Sequence, residues 1–480
     1  MTQREEDRAT ITRRALLGGT VAAALSPAAY RLSEGFGVRR GPGEVVLSYM
    51  AWGNPQQLEV ERQIIALFNE RCRREGRNVR VELFMPPAAG YGQKMRLMLA
   101  SGCAPDVLRV DHYDFPSLVP KGYFRDLTDY ARNDPDFDPS DFCDVAWREN
   151  HYRGRLYGLN VLFGTVLCYY NQDLFAQALL PDPYELWKQG RWTWDEFERC
   201  ARELTVRGPD GRTKQYGFLM PGGATGAPPP YAWALWVWNE GGEILSSDFS
   251  RCLLDSPEAI RAFTRMRNMR FRDRVSPTPA DAAAAAFNLQ SGNVAMEFNF
   301  AGMAPTYRDS IRDFRWDVVA TPCPSERPFA LVKGNQLVIS ATCPYPRQAW
   351  EWVKFMVTPE IEMLLHGDRL RRGVPTRKSL LAPPPGASPQ RSYLHATRPF
   401  FHTDVVPHML AHGKELPIDM TWPAWTARAQ QMLDRLFIRE DADVEEVLRM
   451  TTAAVNRVIA RERQRMARYM EAGEGAGHAF

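Results

Sequence analysis

Several stretches carry residue types whose spacing could do chemistry. "DPDFDPSDFCDV", residues 134–145, sets carboxylates at its first, third and fifth positions, as a calcium loop does. Such a loop also needs glycine at its sixth position and a bidentate Glu at its twelfth, and here those places hold Pro139 and Val145. The stretch therefore reads as turns and helix caps, not as a metal site. Eight cysteines (Cys72, Cys103, Cys143, Cys168, Cys200, Cys252, Cys323, Cys343) include no CxxC and no Cys/His group at zinc spacing. Cys323 and Cys343 could pair across neighbouring strands, but scattered cysteines in apolar contexts read more readily as buried thiols. The 57 acidic residues could include the carboxylate pair of a glycosidase. No GxSxG elbow, HExxH pair or lysine-bearing phosphate loop supports an enzyme, however. The expectation is a chain without catalysis, metal or cofactor.

At the N-terminus, "ITRRALLGGTVAAALSPAA" puts Arg13 and Arg14 ahead of a short apolar run, residues 15–25, and then small residues. The run is too short to span a bilayer. Its layout is that of an export signal, residues 1–30, and the paired arginines resemble the twin-arginine type, which passes folded proteins across a membrane. No cysteine stands near the cleavage region to take a lipid. The expected location is periplasmic or extracellular.

The elements that must position a site come next. A chain of 480 residues exceeds one hydrophobic core. Its 45% apolar and 24% charged content is that of a globular protein, and a net charge of +3 with no basic stripe excludes nucleic acid as a partner. After a Gly/Pro/Arg-rich linker (residues 31–43), "EVVLSYMAW", "NVRVELFM" and "PDVLRV" read as strands separated by helices, an α/β sheet. Ligands in such sheets bind beyond the carboxyl ends of the strands. That makes Trp52-Gly53-Asn54 and Asp111-His112-Tyr113-Asp114 the natural rim of a site. "GRLYGLNVLFGTVLCYYNQDLF", residues 154–175, is longer than an ordinary strand, bends at a glycine and runs straight into a helix. "RWTWDEFERCARELT" and "DSPEAIRAFTRMRNMRF" are helices with defined starts at Thr193 and Ser256.

Together "YGQKMRLMLASGCAPDVLRV", the 154–175 stretch, "RWTWDEFERCARELT", "LDSPEAI", "FNLQSGNVAMEF", "WDVVATPCP" and "RGVPTRKSLL" resemble, in order, the family 1 extracellular solute-binding proteins. These are the maltose-binding-protein-like sugar receptors of ABC importers. The resemblance covers Glu44 to about Arg461. It implies a two-lobed α/β fold of the type II periplasmic-binding-protein kind, each lobe a sheet flanked by helices, with three interlobe crossings and a helical C-terminal tail. Mapped onto this chain, the first lobe takes 44–163 and 302–341, the second takes 164–301 and 342–470, and 471–480 is a disordered tail. The crossings fall near 162–165, 299–302 and 340–344, with Gly164, Gly302 and Pro344 as hinge residues.

The resemblance also implies a carbohydrate in the interlobe cleft. A sugar's CH face suits an aromatic ring, and its hydroxyls suit carboxylate, amide and guanidinium groups. Trp52, Tyr231, Trp233, Trp422 and Trp425 stand where stacking rings are expected. Asn54, Asp111, His112, Tyr113, Asn299 and Arg377 are the polar and rim candidates. Trp236, Trp238, Trp350 and Trp352 read as core. Where the family commonly has a tryptophan after the "AMEFNF" strand, this chain has Ala301-Gly302-Met303, which disfavours a long maltodextrin-like ligand. The implied partners are an ABC importer permease and the twin-arginine export machinery, for a monomer. An exported carbohydrate sensor, or a scaffold that binds polysaccharide, would use the same cleft.

Overall fold

The computed structural model describes residues 43–53, 55–86, 90–222, 226–323, 330–366, 373–381, 402 and 404–475. The expected signal, residues 31–42 of the linker, Asn54 and residues 476–480 lie outside the described residues.

Strands β1 (Val45–Met50) and β3 (Val107–Asp111) are rich in Val and Leu and buried almost throughout, as parallel strands covered on both faces must be. They pair parallel with each other, and β2 (Val79–Phe84) lies parallel on the outer side of β1. Helix α1 (Pro55–Arg74) joins β1 to β2 and buries Val60, Ile64 and Phe68, spaced one helical turn apart, against the sheet. Helix α2 (Tyr91–Ala100) joins β2 to β3 and buries Tyr91, Met95, Met98 and Leu99 on the opposite face.

A small hairpin, β4 (His151–Tyr152) with β5 (Arg155–Leu156), precedes β6 (Leu159–Asn171), which runs 13 residues and is buried along its whole length. Its length follows from its having two jobs. The first half pairs antiparallel with β11 (Ala330–Ile339), from Leu159↔Leu337 to Thr165↔Val332, and β11 in turn pairs with β3. The second half has β9 (Val294–Phe300) on one edge and β10 (Trp316–Ala320) on the other. β8 (Thr213–Leu219) extends that group beside β9, with β7 (Val206–Arg207) beyond it. β12 (Gly413–Lys414) caps the start of β11. Two lobes therefore share β6, the first built on β2-β1-β3-β11 and the second on β8-β9-β6-β10.

The second lobe is filled by helices α3 (Pro230–Asn239) and α4 (Pro257–Phe271), with Trp233, Trp236, Phe263 and Phe298 in one cluster. Ser256 caps α4, accepting from Ala259 N at 3.2 Å, and Thr193 caps the helix Trp194–Glu203, accepting from Glu196 N at 3.3 Å.

The lobe boundaries differ from those expected at two crossings. The helix Ala304–Ser310 and β10 belong to the second lobe, because β10 pairs with Leu167 to Asn171. The chain therefore leaves the second lobe only along β11, whose Ala330, Leu331 and Val332 still pack with second-lobe residues, and not at 299–302. Gly302 sits in a short helical turn closing β9, not in a crossing. Helices α5 (Pro346–Met356) and α6 (Pro359–His366) pack Trp350, Trp352, Val353 and Ile361 against α1, Leu47 and Ile339, in the first lobe. Pro344 thus leads into a first-lobe helix, so the chain has not returned to the second lobe at 340–344. Beyond it Val374 bridges to Phe163 in the middle of β6, at the junction of the lobes. Two helices return to the second lobe, α7 (Trp422–Ile438) and α8 (Val444–Gly475), and α8 extends into the segment expected as a disordered tail.

Cys72, Cys143, Cys168, Cys200, Cys252 and Cys343 are buried free thiols, so Cys343 forms no disulfide with Cys323. In residues 134–145 the carboxylates serve the fold. Asp134 accepts from Trp350 Nε1 and Lys354 Nζ, each at 2.7 Å, and Asp138 accepts from Ser140 N at 2.8 Å. No group of three or more metal-ligating side chains occurs among the described residues.

Candidate ligand-binding cleft

Where the lobes meet, rings arrive from both. β3 ends at Asp111, and the turn after it is fixed by Tyr113 N donating to Asp111 Oδ1 at 3.0 Å, which carries Tyr113 past the first lobe. Trp422 is the first residue of α7, with Pro423 behind it setting the helix start. The two rings stack with centroids 5.7 Å apart and planes 4° from parallel. Phe300 ends β9 and packs on Tyr231, in the first turn of α3, at 4.9 Å. Lys333 of β11 stands between these groups, its ammonium 5.1 Å from the Tyr113 ring centre and 4.4 Å from that of Phe300.

The connecting strands leave room on that side. Lys333 lies directly opposite Gly164 of β6, and a Cβ at Gly164 would meet no atom within 4 Å. The next glycine along, Gly334, is the reverse case: its Cβ would collide with the Asn160 side-chain amide. The absent side chain at Gly164 thus opens space on the Lys333 face, while the one at Gly334 is required for packing.

Beside Tyr113, the buried His112 ring lies against it with centroids 3.8 Å apart and planes tilted by 41°, and sets Nδ1 3.0 Å from Asp111 Oδ1. Burial holds the imidazole neutral, with its pKa down at about 4 despite Asp111. Burial pushes Asp111 up, but His112, Lys333 and the Tyr113 amide outweigh it and keep the carboxyl well below its ordinary range. Glu149 is raised to about 8 by burial and by Glu415, against the Asn160 amide that donates to it at 3.1 Å. Glu297, on β9, is raised to about 7 by burial and accepts from Tyr307. A cavity of about 510 Å³ lies between the lobes here, lined by His112, Glu149 and Gln336 on one side and Phe249, Ile418 and Met420 on the other. Among the described residues, His112 Nε2 and Gln336 Oε1 are buried without hydrogen-bond partners.

Of the residues expected at the site, Tyr113, Tyr231 and Trp422 come together, with Asp111 and His112 directly behind. Trp52 takes its place at the end of β1 but packs on Tyr91 at 4.6 Å within the first lobe. It is fixed there by Arg109, whose Nη1 donates to Trp52 O at 3.0 Å and whose guanidinium pairs with Glu61. Trp233 and Trp425 are fully buried in the second lobe, and Trp425 meets Trp422 edge-on at 4.9 Å, backing the platform without facing the cleft. Asn299 donates to Glu297 and to Tyr307 OH and does not join the ring cluster. Arg377 bonds Val357 O at 2.6 Å and Asp141 at 3.3 Å and covers Phe142, so it staples the first lobe to the junction segment. Lys333 and Phe300 were not singled out from sequence. The available signal for Lys333 was a lone charge inside the apolar run "ALVKGNQLVI".

Residues 55–363 match the family described as bacterial extracellular solute-binding protein. The chain is similar to an "Uncharacterized lipoprotein in oleD 5'region" of Streptomyces antibioticus, 23% identical over 328 residues that cover 66% of this chain and 68% of that one. In fold it is similar to an ABC substrate-binding protein of Listeria monocytogenes in complex with cycloalternan, with a TM-score of 0.73, 22% identity and coverage of 87% of this chain and 99% of that one. It is similar also to UgpB from Mycobacterium tuberculosis in complex with glycerophosphocholine, with a TM-score of 0.69, 21% identity and coverage of 88% and 100%.

Proposed function

Because the chain belongs to the bacterial extracellular solute-binding protein family, we propose that it captures a carbohydrate between its lobes and delivers it to an ABC importer. The observation that carries this reading is the Tyr113–Trp422 pair, one ring from each lobe, parallel and facing across the cleft. A sugar entering between them exchanges the ring–ring contact for two CH–π faces, while its hydroxyls meet Asp111 and the other polar groups at the cleft floor. A ligand held by both lobes binds the closed arrangement better than the open one and shifts the population towards it. The permease then receives the closed form. The role is binding without chemistry, and the fold similarity to a receptor in complex with cycloalternan supports the ligand class.

Export through the twin-arginine route to the periplasm or exterior, as a monomer, completes the reading. The buried thiols support it, since a chain that needs no disulfides to fold can fold before it is exported. Among the described residues no helix is long and apolar enough to cross a membrane.

A thermal-shift screen of the chain from residue 43 against mono- and oligosaccharides, polyols, sugar phosphates and amino acids tests the function. At about a hundredfold excess over Kd a true ligand adds ~2.7 kcal/mol of stability. Shifts confined to carbohydrates support the reading, and shifts confined to amino acids would overturn it.

A further inference from the structure

Lys333 is a charge that the fold balances only at a distance: the Asp111 carboxylate acts on it without an ion pair or a hydrogen bond. It interrupts an apolar strand at the junction of the lobes and is half-buried, so part of its hydration is lost. Among the described residues its ammonium makes no ion pair or side-chain hydrogen bond, and it stands over the faces of Tyr113 and Phe300. Ring faces replace only part of the water an ammonium gives up, and an anion within hydrogen-bond distance would replace more.

The carboxyls nearby are committed elsewhere. Asp111 accepts from Tyr113 N and faces His112 Nδ1, each at 3.0 Å. Glu149 is held by Asn160, and Glu297 by Tyr307 and Asn299. With Glu149 raised to about 8 and Glu297 to about 7, neither offers a full negative charge at neutral pH. The space beside Gly164, opposite Lys333, is open to a ligand group.

We propose that Lys333 selects ligands by charge, pairing its ammonium with a carboxylate or phosphate on a polyhydroxylated ligand held between Tyr113 and Trp422. The inference rests on the carbohydrate reading of the cleft and narrows it to acidic sugars.

Calorimetric titration at low ionic strength with glucose, glucuronic acid, glucose 6-phosphate and maltose tests it, on the wild-type chain, Lys333→Met and Lys333→Arg. The expected result is that one acidic sugar binds at least about tenfold more tightly than glucose, a gap of ~1.4 kcal/mol. Lys333→Met should erase that gap and Lys333→Arg should keep it, with unchanged melting curves excluding a folding defect. Which acidic sugar wins distinguishes carboxylate from phosphate. Neutral sugars binding as tightly as acidic ones, or a preference that survives Lys333→Met, would overturn the inference and leave the carbohydrate reading standing. Binding by none of the four would overturn both.

Discussion

Tyr113 and Trp422 face each other, yet they differ in what else depends on them. Trp422 is 3% exposed and part of the second-lobe core, so Trp422→Ala should cost about 3–5 kcal/mol of stability as well as affinity. Tyr113 is half-buried on a turn. Tyr113→Ala should therefore leave the melting curve nearly unchanged while weakening carbohydrate binding by about 1–3 kcal/mol. Titration of the variant decides this, and unchanged affinity would make Tyr113 a scaffold residue. Glu149 gives a pH prediction. Its folded value, about 8, lies above the ordinary carboxyl value, so the folded chain holds a proton that the unfolded chain releases. That contribution favours folding at low pH and is lost as pH rises towards about 8. The melting temperature of Glu149→Gln should fall less than that of the wild type between about pH 6 and 8, and parallel profiles would contradict it. At this scale the sequence marked aromatics at element ends but could not sort them. Helix α3 is apolar on every side, so its pattern shows no outward face, and Trp233 could not be told from a cleft residue. The partners of Arg377, Val357 O and Asp141, come from remote segments that its local sequence does not reveal.

Among the elements, the paired strands β6 and β11 position the site, and their glycines should behave oppositely. Gly164→Ala points into open space and should be tolerated, whereas Gly334→Ala meets the Asn160 side chain and should lower stability by about 1–3 kcal/mol. Denaturant midpoints of the two variants test the contrast, and equal effects would contradict the geometry. Arg109 and Glu61 form a fully buried pair beneath Trp52, so Arg109→Met alone should cost about 3–5 kcal/mol by stranding the Glu61 charge. The strands, helix starts and the crossing strand itself were legible, because alternation, caps and the length of residues 154–175 are local signals. The second and third crossings were not. "RWDVVATPCP" reads as a strand, but nothing local says that it takes the free edge of β6 and so stays in the second lobe. Likewise α5 shows an apolar face without showing which lobe it covers.

For the whole molecule, the two lobes and their shared strand make capture a question of closure. The Tyr113–Trp422 contact defines the arrangement in which the lobes meet, and a ligand reaches the space between those rings only from a more open one. Small-angle scattering of the chain from residue 43, with and without a carbohydrate shown to bind, reads this directly. The account predicts a smaller radius of gyration and a shorter maximum dimension with ligand, and a smaller response from Tyr113→Ala. A scattering profile unchanged by a saturating ligand would contradict capture by closure of the lobes.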